Sequence, residues 1–146
     1  MGRSSQQSPD AGPDEETYFF AYSATLPIAG DIPDMEGISA VLGLRPTHTH
    51  RKAVGEPNDA SPYRHDMWSY SPPVDKSEPL HKHIDELWAK LKPHKKYLLE
   101  LKKSAMVDVF LGYRSDCETA GFEVPYTSLE MFSELEIGFG LSIIVS

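Results

Sequence analysis

The 146-residue chain is 40% hydrophobic and 25% charged, an ordinary globular balance whose length suits one domain with its own core and excludes a fibrous or wholly disordered protein. Its formal charge of −8 is unevenly placed, with eight lysines against five acids in residues 67–104 and one arginine against seven acids in residues 105–146. That balance disfavours general nucleic-acid binding, because phosphates demand a net basic face, and it leaves a protein partner, a basic one included, as the open class.

Residues 1–17, rich in Ser, Gln, Pro, Gly and acid and lacking aromatics, cannot bury enough apolar area to offset chain entropy and read as a disordered tail, with a single domain over 18–146. The aromatic run Tyr18–Leu26, bounded by Pro27 and Gly30, predicts a first strand with a buried face. From Asp31 to Leu44 the period changes. Pro33 suits a first helical turn, Met35, Ile38, Val41 and Leu42 recur at helical spacing, and Gly43 reads as a C-terminal cap. Residues 45–64 are polar and punctuated by proline, with strand character only over Thr47–Val54; Asp66–Ser71 then reads as a short strand closed by Pro72-Pro73.

The longest periodic signal places Leu80, Ile84, Leu87, Leu91, His94, Leu98 and Leu101 on one helical stripe, with lysines on its flanks and a kink or split at Pro93. Met106–Tyr113 alternates as a strand, and Gly121–Val124 reads as a short one. Thr127-x-x-Glu130 has capping-box spacing and predicts a helix through Leu129, Phe132 and Leu135. The β-branched run Ile137–Val145 reads as a strand buried inside the sheet; at an edge it would be a route to dimerisation.

Several of these stretches together carry a resemblance: Leu42-Gly43-Leu44-Arg45-Pro46-Thr47, Trp68-Ser69-Tyr70, Leu91-Lys92-Pro93-His94, and Val109-Phe110-Leu111-Gly112-Tyr113 before a hydrophobic strand. In these the chain resembles the uncharacterised bacterial family catalogued as domain of unknown function 4279, over roughly residues 18–145. The resemblance implies a stand-alone bacterial domain and brings no activity or functional residue with it.

Among the candidate sites, His48 and His50 lead, because in a strand they share a face as a metal-binding pair requires, and His65 or Asp66 could complete the set. Without a regularly spaced partner set a polar loop is the favoured reading. Arg45, Arg51, Lys52 and Arg64, with the same histidines and with Tyr63 and Trp68 nearby, form a second candidate for a small anion or acidic peptide; a hydrated loop balanced by Glu56, Asp59 and Asp66 is its default. His81 and His83 lie about 200° apart on a helix and are expected at the surface, while His94 is expected at a boundary or in the core. Cys117, between Asp116 and Glu118, is a poor nucleophile. The C-terminal acids Glu123, Glu130, Glu134 and Glu136 lack the spacing of a calcium loop, and no phosphate-cradling loop, nucleophile elbow or CxxC pair occurs.

The expected fold is α+β, a mainly antiparallel sheet of about four to six strands with the Leu80–Leu101 helix on one face and shorter helices at the ends. A ferredoxin-like arrangement is one version. The expected function is a non-enzymatic binding or interaction module without a cofactor, in one version an immunity-like block on a basic toxin. A small metal- or anion-dependent enzyme on His48, His50 and His65 is the alternative, and a ligand sensor near Trp68 and Tyr70 the third. One cysteine, no signal-peptide pattern and no apolar run near the roughly 20 residues of a membrane helix give a cytoplasmic monomer or homodimer, away from membranes.

Overall fold

The computed structural model describes residues 20–52, 64–117 and 121–145. The elements run Phe20–Gly30 (β1), Met35–Leu42 (α1), His48–His50 (β2), Asp66–Tyr70 (β3), Leu80–Leu91 (α2), Lys95–Leu101 (α3), Met106–Val107 (β4), Val109–Ser115 (β5), Glu130–Leu135 (α4) and Phe139–Val145 (β6). The fold is α+β, as expected. Its six-stranded sheet has the order β2-β3-β1-β5-β6, with β4 also on β1, and every pairing is antiparallel except β5 with β6. The tail over 1–17, Tyr18, Ala53, Val54, Tyr63 and Glu118 lie outside the described residues.

β1 is the axis of the sheet and runs through Pro27, which the sequence reading takes as a boundary. Its register against β4 is the one it keeps against β5, so Pro27 stands opposite Asp108. The Asp108 amide donates to the Pro27 carbonyl at 3.4 Å, but proline has no N–H to return the bond. One physical strand, Met106–Ser115, is therefore interrupted into β4 and β5 by a proline on its neighbour. Gly30 ends β1 at φ 139°, a conformation that side-chain-bearing residues rarely adopt.

One face of the sheet is covered. Ala24, Leu26 and Ile28 of β1, Trp68 and Tyr70 of β3, and Val109, Leu111 and Tyr113 of β5 are buried in cross-strand register. Onto this face packs the predicted seam, with Leu80, Ile84, Leu87, Leu91 and Leu98 buried and His94 and Leu101 half-buried. A side chain of that size gains about 1.5–3 kcal/mol on full burial, which is why the stripe and not helix propensity docks the segment. Pro93 splits it as expected: Lys92–His94 is a 3₁₀ turn between α2 and α3.

Five local expectations need correction. Pro33 lies outside α1, whose N-cap is Asp34 accepting from the Gly37 amide at 2.9 Å; Gly43 does form the left-handed C-cap. Residues 121–124 are not a strand. Thr127 sits in a 3₁₀ turn, Tyr126–Leu129, and the N-cap of α4 is Leu129 without a side-chain bond, because the Glu130 carboxylate is taken by the Trp88 indole N–H (3.0 Å) and the Lys92 ammonium (3.1 Å). His83 is buried, since position 83 follows Leu80 by three residues and precedes Leu87 by four and so falls on the seam. Finally, β6 is an edge strand with its side chains largely exposed, and not an inner strand.

Candidate functional site

The His48–His50 region is built at one edge of the sheet. β2 pairs with β3 as His48↔Ser69 and His50↔Met67, which turns both imidazoles to one face as the strand reading requires. The rings meet edge-on, with His48 Nε2 3.2 Å from His50 Nδ1. His65 is exposed, and among the described residues no group of three or more His, Cys, Asp or Glu is close enough to hold a metal ion. Asp66, the other candidate ligand, is buried and accepts from the Ile32 amide (3.0 Å), the Lys52 amide (2.9 Å) and Arg51 Nη1 (3.5 Å). Those backbone donors, more than the cations, hold its carboxyl below the usual carboxylate range.

The candidate basic patch is largely engaged in the same knot. Arg51 donates to the Ile32 carbonyl and reaches Asp66, and Lys52 pairs with Asp31 at 3.1 Å. Together they tie the chain after β2 to the turn that leads into α1. Trp68 is fully buried and gives its indole N–H to Ser39 Oγ at 2.9 Å, so it is a core residue that also lines a groove of about 620 Å³. Arg45 and Arg64 are exposed and make no ion pair among the described residues. The arrangement brings His50, Arg51 and Trp68 together and leaves His65, Arg45 and Arg64 out of the groove.

A second region lies on the uncovered face of the sheet. A groove of about 360 Å³ crosses β1, β5 and β6 over the small residues Ala21, Ser23, Gly112 and Ser142. A Cβ on Gly112 would come within 2.5 Å of Ser23 Oγ, so that position is restricted to glycine unless Ser23 moves. Phe110 forms a wall and lies over Gly140, where a Cβ would stand 2.7 Å from the ring. At the Ala21 end stand two cations, Arg114 by its register with Ala21 and Lys76 through its carbonyl, which accepts from the Tyr22 amide at 2.9 Å. Neither makes an ion pair among the described residues.

The groove adjoins β6, and here the sequence reading missed the main surface feature. Phe139, Leu141, Ile143 and Val145 share the face of Val109, Leu111 and Tyr113 by register, and although the Phe139 ring meets Phe132 of α4 at 5.0 Å, all four stay exposed. Phe139 is 50% and Ile143 56% exposed. On the opposite face Ile144 is exposed as well. Residues 139–145 contain no charge and no proline, and the outer edge of β6 pairs with no described strand. The absence of any charge over Ile137–Val145 is the signal that could have marked this edge.

The acids of the C-terminal third are partly engaged inside the fold. Glu134 pairs with Lys95, Glu130 with Lys92, and the Leu135 and Glu136 carbonyls accept from Lys102 Nζ at 3.0 and 2.6 Å. Cys117 is half-buried, its amide donating to Ser115 Oγ at 3.0 Å.

No helix of the described residues is long and apolar enough to cross a membrane. No curated protein and no solved structure matches the chain. A family model does match, over residues 20–146, which takes in every strand and helix described above, and the chain therefore belongs to the family described as a domain of unknown function, DUF4279.

Proposed function

We propose that this chain is a non-enzymatic protein-interaction module whose contact element is the outer edge of β6, which takes up a strand of its partner. The observation that carries the reading is the combination found on β6: seven residues of open edge, large exposed apolar side chains on it, and no charge or proline to keep another strand away. A strand added there gains main-chain hydrogen bonds along its length and apolar contacts at alternate positions. The immunity-like version has less support, because Glu130 and Glu134, which a basic partner would use, already face Lys92 and Lys95. The reading keeps the expected bacterial, cytoplasmic setting, in which a chain with one cysteine needs no disulfide.

The test is site-specific photo-crosslinking in cells that express the full chain. A benzophenone amino acid at position 143 on β6 is compared with the same group at position 49 on β2, the opposite edge. A discrete adduct from 143 and none from 49 is expected. Adducts from 49 alone, or from neither, would rule the reading out.

A further inference from the structure

We infer that the strand added at β6 is β6 of a second copy of this chain, paired antiparallel about a two-fold axis through Ser142; this rests on the strand-addition reading above. A two-fold axis perpendicular to the sheet keeps the helix layers of both copies on one side, and opposed residues on antiparallel strands always share a face. Centring the axis on Ser142 is the choice that uses all seven residues of Phe139–Val145. It sets Phe139 against Val145 and Leu141 against Ile143 on the helix-side face, and Gly140 against Ile144 on the open face.

Each of these oppositions is favourable in kind. The helix-side face becomes a continuous row of aromatic and branched aliphatic pairs, the class that contributes most across antiparallel strands. Ile144 meets the one position without a side chain, Gly140, where the exposed Phe110 ring of the same copy lies alongside. Ser142 meets Ser142, two hydroxyls that can bond to each other. A heterologous strand would have to be matched to this sequence; the strand is already matched to itself. The absence of charge matters for the same reason, since two chains that each carry −8 repel over most approaches but set no like charges opposite one another here.

The consequence is a continuous path of ten strands, β2-β3-β1-β5-β6 followed by its two-fold mate, whose ends are the short β2 edges. Five exposed apolar side chains per copy, Phe139, Leu141, Ile143, Ile144 and Val145, come to the seam, and the two open-face grooves lie on the same side of the joined sheet.

The experiment is sedimentation velocity on the full chain across a range of concentrations, with Ser142→Lys and Ser142→Glu as variants. Wild type should sediment at twice the 16.3 kDa chain mass at micromolar concentration. Ser142 is exposed on the open face, so neither variant disturbs the core. Each alone places like charges opposite one another and should raise the dissociation constant at least about tenfold, whereas mixing the two should restore the dimer. Restoration on mixing also proves that both variants fold. Wild type that stays at 16.3 kDa throughout, or a dimer indifferent to either variant, overturns the inference. The crosslink at position 143 separates the two claims: an adduct heavier than the chain but not twice its mass keeps strand addition and removes the second copy, and no adduct removes both.

Discussion

At one edge of the sheet β2 is three residues long, polar, and followed at once by Arg51 and Lys52; at the other β6 is seven residues long, uncharged and free of proline. The first edge carries the devices by which natural sheets refuse another strand, shortness and nearby charge, and the second carries none of them. The chemistry-rich residues gather at the closed edge and are engaged there by one another: His48 with His50, and Arg51 and Lys52 with Ile32, Asp66 and Asp31. Among the described residues the chemistry-poor strand is the one whose long edge is left open. Where reactive side chains already have structural partners within hydrogen-bond distance, as Arg51, Lys52 and Asp66 do, their clustering does not by itself mark a working surface.

The sharpest way to break this comparison is to show that the β2 side is a contact surface after all. Trp68 decides it. With no exposure and its N–H on Ser39, Trp68→Ala should cost about 3–5 kcal/mol, read as a large fall in the urea midpoint, because a cavity replaces a core indole. A loss of only a few tenths of a kcal/mol would mean the ring faces solvent and belongs to a site.

Asp66 tests the knot itself. Its carboxyl is held below the usual range by the Ile32 and Lys52 amides, so folding favours the ionised form and the contribution is present at neutral pH. That contribution should shrink as pH falls below about 4, the unfolded value, and disappear below the folded one. Asp66→Asn should therefore be less stable than wild type at pH 7 and approach it at the acid end, in urea titrations at each pH. A difference that persists undiminished in acid would show that the carboxylate is not what ties Ile32 to Lys52.

His83 gives a smaller and opposite-signed probe on the helix layer that both edges share. Burial lowers its pKa and outweighs the opposite pull of the Glu78 carbonyl, which accepts from Nε2–H at 3.2 Å, so folding favours the neutral form. The unfolded chain takes up a proton near pH 6.5 and the folded one does so only at lower pH. Stability should therefore be flat above that value and decline as pH falls from about 6.5 towards the folded pKa. In His83→Gln, which can still donate to Glu78, this segment of the pH profile should flatten; an unchanged slope between pH 7 and 5.5 would assign it to other groups.

These probes also mark how far the sequence was legible. Element type followed from periodicity wherever one face is buried: the Leu80–Leu101 stripe, its break at Pro93 and the Gly43 cap are all in place. Periodicity reports which residues are apolar and says nothing of which neighbour covers them. For that reason β6 reads as an inner strand, although its side chains stay largely exposed even where Phe139 meets Phe132 of α4, and His83 reads as surface although the seam passes through it. The capping box failed for a related reason: Thr-x-x-Glu describes a local bond, and Glu130 has stronger partners 42 residues away at Trp88 and 38 away at Lys92. At the His48–His50 edge the strand and the shared face were legible from the alternation of side chains, but the Asp66 knot was not, because it joins segments 14 to 34 residues apart.

The smallest effect on stability belongs to β6, and it sharpens the comparison most. Ile143 is more than half exposed and contributes little to the fold of a single copy, so Ile143→Thr, which keeps strand propensity, should change the unfolding free energy by about 0.5 kcal/mol or less when measured at high dilution. Opposite Leu141 of a second copy, the same substitution removes an apolar partner twice, once on each side of the axis. The stability of the diluted chain should therefore be almost unchanged while the sedimentation midpoint moves to higher concentration. An equal change in both would mean that β6 is held by its own helix layer and that the two edges differ only in length.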